Sequence, residues 1–286
     1  MTGSRSGSTS TSSRKRAAPH QRAKKRFGQH FLSDVNILAR IVDAAGVTAD
    51  DVVLEVGPGL GSLTAMLAER AQRVVAVEID HDLIASLRDR FAGTPNVAII
   101  EADVLDHTGA ELLAQAGAAR PYLVVANLPY NIAAPVLRRF FESDAPPSRL
   151  VVMVQLEVAE VIVANPGKMS LLSIATQVYG DTSLVMKVAP GAFSPPPNVQ
   201  SAVVRIDVTA QPKVDVPLDT FFGVVRAGFG NPRKQLRNSL SLGLHVKQDV
   251  IASVMAAAGI DVMLRPQMLS LDDWAAITGA WIARPQ

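Results

Sequence analysis

Two stretches of this chain carry residue types that could do chemistry together. Glu55-Val56-Gly57-Pro58-Gly59-Leu60-Gly61 is a glycine-rich turn, and Asn127-Leu128-Pro129-Tyr130 begins 70 residues after Gly57. A side-chain amide beside a main-chain carbonyl can accept both hydrogens of an exocyclic amine. Proline stiffens such a turn, and a tyrosine ring can stack on a base. Glycine lets backbone approach a ligand closely. Taken together, the two stretches point to transfer of a methyl group from S-adenosylmethionine to an amino nitrogen. The chain has no cysteine, which excludes disulfides, thiolate metal sites and thiolate attack on a pyrimidine ring. The five histidines show no paired ligand spacing, so no structural metal is expected.

The glycine turn follows a predicted strand and opens a predicted helix, the context a nucleotide-type cofactor site requires. Glu78 ends the next strand, 21 residues after Gly57, where a carboxylate can accept both ribose hydroxyls. NAD would fit turn and acid equally, but nothing glycine-like follows Gly61 at the third position of a dinucleotide fingerprint. Asp103, at the end of the third strand, can accept the amino hydrogens of an adenine; as a plain alternative it caps the next helix. Phe193 lies in Phe193-Ser194-Pro195-Pro196-Pro197, a stiff segment that can present its ring to the second face of a target base. The N6 lone pair of adenine is delocalised and a sulfonium methyl is already electrophilic, so such a site must position the amine rather than supply a strong base. Asn127 and the Leu128 carbonyl are assigned to the amine hydrogens, and Tyr130 and Phe193 to stacking on a flipped-out adenine.

Alternating strands and helices must position these residues. Strands are predicted at Val52 to Val56, Arg73 to Glu78, Val97 to Glu101, Tyr122 to Ala126 and Leu150 to Val154, with helices between them. This pattern implies an α/β protein with a parallel sheet covered on both faces. The rhythm then changes: Leu171 to Tyr179 and Ser183 to Val188 read as an antiparallel hairpin through Gly180-Asp181, and Ser201 to Val208 as one more strand. From Pro217 onward the pattern is helical, including a helix started by Asn231-Pro232. The expected organisation is a basic arm over residues 1–26, a methyltransferase domain over 27–210, and a helical RNA-contacting domain over 211–286.

Charge is distributed unevenly. Residues 1–26 carry eight Lys and Arg and no acid, while the other 260 residues hold 20 basic against 26 acidic groups. A basic arm on an acidic body suggests a polyanionic partner. Positions 2–26 lack Leu, Ile, Val, Met, Phe and Trp, so they cannot form the amphipathic helix of a transit peptide; a disordered arm and a cytoplasmic protein are expected. Between Thr220 and Gln248 there is again no acid, while Arg226, Arg233, Lys234, Arg237 and Lys247 are present. This segment is the expected source of RNA affinity. No apolar run is long enough to span a bilayer.

On these residues the chain resembles the KsgA/Dim-type small-subunit ribosomal RNA adenine dimethyltransferases, relatives of the Erm methylases. The resemblance runs from about residue 26 to 240, through Arg26 to Leu32, Glu55 to Gly61, Val77 to Asp80, Asn127 to Ile132, Val154 to Glu160, Phe193 to Pro197 and Arg233 to Asn238. It implies a Rossmann-like class I methyltransferase sheet of seven strands with a small all-helical C-terminal domain. The implied reaction is four methyl transfers, two to each of two adjacent adenosines near the 3′ end of small-subunit rRNA. The implied partner is that rRNA within a pre-ribosomal particle, met by a monomer. By the same resemblance His30, Leu32, Gly57, Gly59, Glu78, Asp103 and Asn127 contact S-adenosylmethionine. Position 30 is more often Asn in this family, position 161 is Val where a basic residue is expected, and Met169-Ser170 replaces a common Tyr-Gly. Three alternatives stand beside this reading. They are an Erm-type large-subunit rRNA methyltransferase, a protein-glutamine or DNA-adenine methyltransferase (which would carry proline in place of Leu128), and an RNA-binding assembly factor whose methylation is secondary.

If the arm meets RNA, deleting residues 1–25 leaves the body folded but weakens RNA binding. The log–log salt slope should then drop by about 0.7–0.9 for each phosphate the arm no longer neutralises. An unchanged slope in a salt titration would make the arm a solvated tail.

Overall fold

The computed structural model describes residues 30–285; the basic arm lies outside them. In chain order the elements are β1 (Phe31–Leu32), α1 (Val35–Ala45), β2 (Val52–Val56), α2 (Ser62–Ala68), β3 (Arg73–Glu78), α3 (His81–Phe91), β4 (Val97–Glu101) and α4 (Gly109–Gln115). Then come β5 (Leu123–Asn127), α5 (Ala133–Phe141), β6 (Arg149–Gln155), α6 (Leu156–Ile162), α7 (Leu171–Gln177), β7 (Gly180–Val188), β8 (Phe193–Ser194) and β9 (Ser201–Val208). The helices α8 (Leu218–Phe229), α9 (Leu236–Gly243), α10 (Gln248–Ala257) and α11 (Leu271–Ala283) finish the chain. None of the described helices is long and apolar enough to cross a membrane.

Seven strands form one sheet in the order β4-β3-β2-β5-β6-β9-β7. The first five run parallel, and β9 lies antiparallel between β6 and β7. A parallel sheet with helices on both faces buries its strands completely, which is why every residue of β2 is inside. One face packs on Tyr122, Val136, Leu137 and Phe140 among others, and the opposite face on α1 and α2 through Leu38, Ile41, Leu63 and Leu67. Strand order reverses between β2 and β5, so their carboxyl ends splay and leave a crevice there. That is where the glycine turn and the Asn-Leu-Pro-Tyr stretch both emerge.

Leu171 to Tyr179 is not a strand. Ser170 accepts from the Ser173 N–H, and the Ser173 hydroxyl accepts from the Ser170 N–H in return; this capping box starts α7. Leu172, Ile174 and Val178 alternate as a strand would, while Ile174 and Val178, four residues apart, equally suit one helix face, and the cap decides. The antiparallel partner of β7 is β9. Gly180 permits that pairing to begin at once, because a Cβ there would stand 2.5 Å from the Asp207 carbonyl oxygen. Asn231-Pro232 likewise starts no helix: α9 begins at Leu236, and the Asn231 carbonyl instead accepts from the Lys234 N–H and the Ser239 hydroxyl.

The C-terminal helices share a core built on Phe221, Leu236, Leu240, Ile251 and Trp274, which also takes in Met169, Ile174 and Val178 from the chain around α7. Gly228 on α8 lets the indole of Trp274 lie close against the helix, since a Cβ would come within 2.3 Å of the ring. Trp274 is fully buried and its indole N–H has no partner among the described residues. Trp274→Ala is expected to cost about 3–5 kcal/mol in urea unfolding, as loss of a large core side chain does. Trp274→Phe should cost clearly less, because it keeps most of the apolar packing and removes the unpartnered donor. Equal losses for the two variants would show that the ring is not packed as described.

Candidate active site

The crevice holds a cavity of about 290 Å³. It is bounded by the glycine turn on one side, the ends of β3 and β4 on another, and Asn127 to Ile132 on a third. Gly57, Gly59 and Gly61 all have positive φ. At Gly61 the need is steric as well: a Cβ would press to 2.7 Å from the Phe91 ring, which packs beneath the turn. A Cβ on Gly57 would stand 3.9 Å from both the Asn127 carbonyl oxygen and Pro129 Cδ. The two stretches singled out in the sequence are therefore neighbours in space.

Glu78 ties the turn to β3. Its Oε2 accepts from the Gly59 N–H at 3.2 Å, and its Oε1 accepts from the N–H groups of Ile79 and Asp80 at 3.0 and 2.9 Å. Burial raises its carboxyl above the ordinary carboxylate range, and these three amides work against that rise. Asp103 lies two residues beyond β4 and lines the cavity; its Oδ1 accepts from the Leu105 N–H at 2.9 Å. It does not cap α4, whose N-cap is Thr108.

Asn127 closes β5. Its Nδ2 donates to the His30 carbonyl oxygen at 3.3 Å. A carbonyl can only accept, so the nitrogen must face it, and Oδ1 is left as the acceptor. Leu128 is buried, and its N–H donates to the Met153 carbonyl at 3.1 Å, pinning the tetrapeptide to β6. The Pro129 carbonyl takes the Ile132 N–H, which turns the chain into α5. Tyr130 is half-buried; its hydroxyl pairs with Ser201 Oγ at 2.7 Å, and its ring stacks on His30 with centroids 5.8 Å apart.

Several residues lie elsewhere than the sequence suggested. Phe193 is only 5% exposed and does not line the cavity. It pairs with Leu32 across the β1–β8 ladder and packs in the core layer above α1, so its ring is not held out toward a base. Leu32 is buried in the same layer and also reaches the cavity wall. Arg226, Arg233 and Lys234 are exposed, Arg233 and Lys234 in the turn before α9. Arg237, in the first turn of α9, is half-buried with its Nε enclosed and unpartnered.

Phe31 and Glu55 are among the cavity residues outside the set of site residues that the sequence pointed to. Phe31 packs on the turn, its ring 3.1 Å from where a Gly59 Cβ would lie; nothing in the sequence distinguishes it from core. Glu55 does carry a signal, a carboxylate inside a continuous apolar strand. It is completely buried under the turn, and burial pushes its carboxyl from 4.5 up to about 8; the nearby Thr64 hydroxyl opposes this, and Glu78 adds to it. Neither Glu55 Oε2 nor Thr64 Oγ1 makes a geometrically sound hydrogen bond. Near neutral pH the group is therefore mostly a neutral acid.

Comparisons with known proteins agree with this geometry. The pattern of the family described as ribosomal RNA adenine dimethylase matches residues 20–276. The chain belongs to that family. It is 44% identical over 265 residues to the ribosomal RNA small subunit methyltransferase A of Dehalococcoides mccartyi (strain CBDB1), covering 92% of this chain and 90% of the relative. The protein of the same name from Geobacter sulfurreducens is also 44% identical, with 92% and 96% covered. Among solved structures, the 23S rRNA methyltransferase ErmE superposes with a TM-score of 0.71 at 27% identity, over 87% of this chain and 98% of that one. A dimethyladenosine transferase from Plasmodium falciparum shares the fold, with a TM-score of 0.74 at 23% identity over 87% and 96%. This family member is thus an rRNA adenine dimethyltransferase on a Rossmann-like sheet with a helical C-terminal region.

The buried carboxyl generates a pH prediction. Its folded pKa lies above the unfolded value, so the folded chain holds a proton that the unfolded chain has released. Native stability is therefore lost as pH rises from about 4.5 to about 8. Relative to wild type, Glu55→Gln should gain unfolding free energy across that window and level off above it, in urea titrations at a series of pH values. A pH-independent difference would place the charge of Glu55 in contact with water.

Proposed function

We propose that this enzyme dimethylates N6 of two adjacent adenosines near the 3′ end of small-subunit rRNA, using S-adenosylmethionine as donor. The observation that carries the proposal is the meeting of two sites in one crevice. One is a cofactor-shaped turn with carboxylates at the ends of two strands; the other is an amide whose oxygen is left free to accept by its own geometry. The names of the relatives quoted above favour the small subunit over the large-subunit target printed for ErmE.

The cavity residues fit such a donor. Its walls have no Cβ at Gly57 and Gly59, and Glu78 and Asp103 present carboxylates at the places where ribose hydroxyls and an adenine amine would need acceptors. Gly57, Gly59, Glu78 and Asp103 would hold it, with His30 and Leu32 along the wall made by β1. When bound, S-adenosylmethionine supplies an electrophilic methyl on a positively charged sulfur. Asn127 Oδ1 accepts a hydrogen of N6 and turns the nitrogen lone pair toward the donor, with the Leu128 carbonyl as second acceptor. Tyr130 provides the stacking face, and with Phe193 packed away it is the aromatic ring of the tetrapeptide that receives the base. No strong base is needed, because the amine proton becomes acidic only after transfer and can leave to solvent.

RNA affinity is assigned to Arg226, Arg233, Lys234 and Arg237, with the arm adding further phosphate interactions. The partner is the rRNA within a pre-ribosomal particle, the enzyme acts as a monomer in the cytoplasm, and residues 211–286 serve as the RNA-contacting unit. Asn127→Ala tests the assignment: single-turnover methylation at saturating donor and small-subunit particle should slow by on the order of 10²-fold or more. That loss should exceed any fall in donor affinity measured by calorimetry, since Asn127 is also expected to contact the donor. Near-normal transfer would reduce the tetrapeptide to a structural turn.

A further inference from the structure

His30 touches two stretches of the site that are far apart from it in sequence, the Asn127 to Tyr130 tetrapeptide and Pro195. Its carbonyl receives Asn127 Nδ2 at 3.3 Å, its ring lies on Tyr130, and its Nδ1 is 2.8 Å from the Pro195 carbonyl oxygen. Since Pro195 O can only accept, Nδ1 carries the hydrogen. The next two residues pair with Phe193 and Ser194 in the β1–β8 ladder, and Phe31 packs on the glycine turn at Gly59. The segment around His30 therefore joins the donor-side turn to the amine-side tetrapeptide. The main sheet makes no hydrogen-bonded ladder with this segment. Besides the core packing of Leu32 and Phe31, its position rests on the two-residue ladder, the Ser33 N–H to the Ala192 carbonyl, and the ring contact to Pro195.

We propose that His30 is a positioning residue for methyl transfer. Its ring fixes the segment through Pro195, so that its own carbonyl orients the Asn127 amide while its face backs the Tyr130 ring. The inference rests on the assignment of Asn127 and Tyr130 to the target adenine. The amide Nδ2 of an asparagine can take the place of the imidazole Nδ1, whereas phenylalanine keeps a ring but has no donor.

Full-length His30→Ala, His30→Phe and His30→Asn are compared with wild type and Asn127→Ala on small-subunit particles. His30→Ala and His30→Phe should lower kcat about tenfold, the order expected when one orienting hydrogen bond is removed. Because His30 also lines the cavity that would hold the donor, KM for the donor is measured separately and kcat is read at saturating donor, where a weakened donor contact no longer lowers the rate. His30→Asn should recover most of the rate. An RNA with 2-aminopurine at the target gives a second readout without donor: emission on binding should differ from wild type for His30→Ala and be closer to it for His30→Phe, which retains a ring beside Tyr130. Thermal unfolding is followed alongside. Wild-type kcat in His30→Ala or His30→Phe, with or without a lowered Tm, overturns the inference, as does His30→Asn no better than alanine. A normal rate in Asn127→Ala instead overturns the functional assignment, which separates the two failures.

Discussion

The hydrogen bond from the Gly59 N–H to Glu78 Oε2 is the interaction on which the site depends. It joins a turn that can only be made by left-handed glycines to the end of the neighbouring strand. The bond fixes the turn to the end of β3 at the edge of the crevice. Beneath it, Phe91 and Leu87 fill the space a side chain at Gly61 would need, and Phe31, packed on the same cluster, lies against Gly59. Buried, the Glu78 carboxylate would be costly without partners; three backbone amides offset that cost and aim it.

The acceptor side follows the same logic. Asn127 sits where β5 leaves the buried centre of the sheet, so its amide must be satisfied or wet. Among the described residues, its nitrogen is taken by the His30 carbonyl. An amide pinned on its nitrogen presents its oxygen to the cavity without needing to reorganise, as the proposed role toward a substrate amine requires.

Much of this is legible in the residues, for identifiable reasons. Val52 to Val56 is readable to the residue because a parallel strand buried on both faces is a mostly apolar run bounded by polar chain. Glu78, Asp103 and Asn127 are readable because carboxyl ends of successive strands meet at the switch in strand order. Leu171 to Tyr179 is not, since its apolar spacing suits both periodicities and only the Ser170–Ser173 cap separates them. Phe193 misleads because proline stiffness says nothing about direction, and the β1 ladder that buries its ring is two residues long. Glu55 is visible as a charge in an apolar strand, but its neutral state becomes evident only with complete burial.

The central claim is that this crevice methylates adjacent adenosines of small-subunit rRNA. Mass spectrometry of both rRNAs from cells lacking the gene tests it most directly. The account predicts that two neighbouring adenosines near the 3′ end of the small-subunit rRNA lose both N6 methyl groups, and that the large-subunit rRNA is unchanged. Intact dimethylation at those adenosines, or a loss confined to the large subunit, would contradict it.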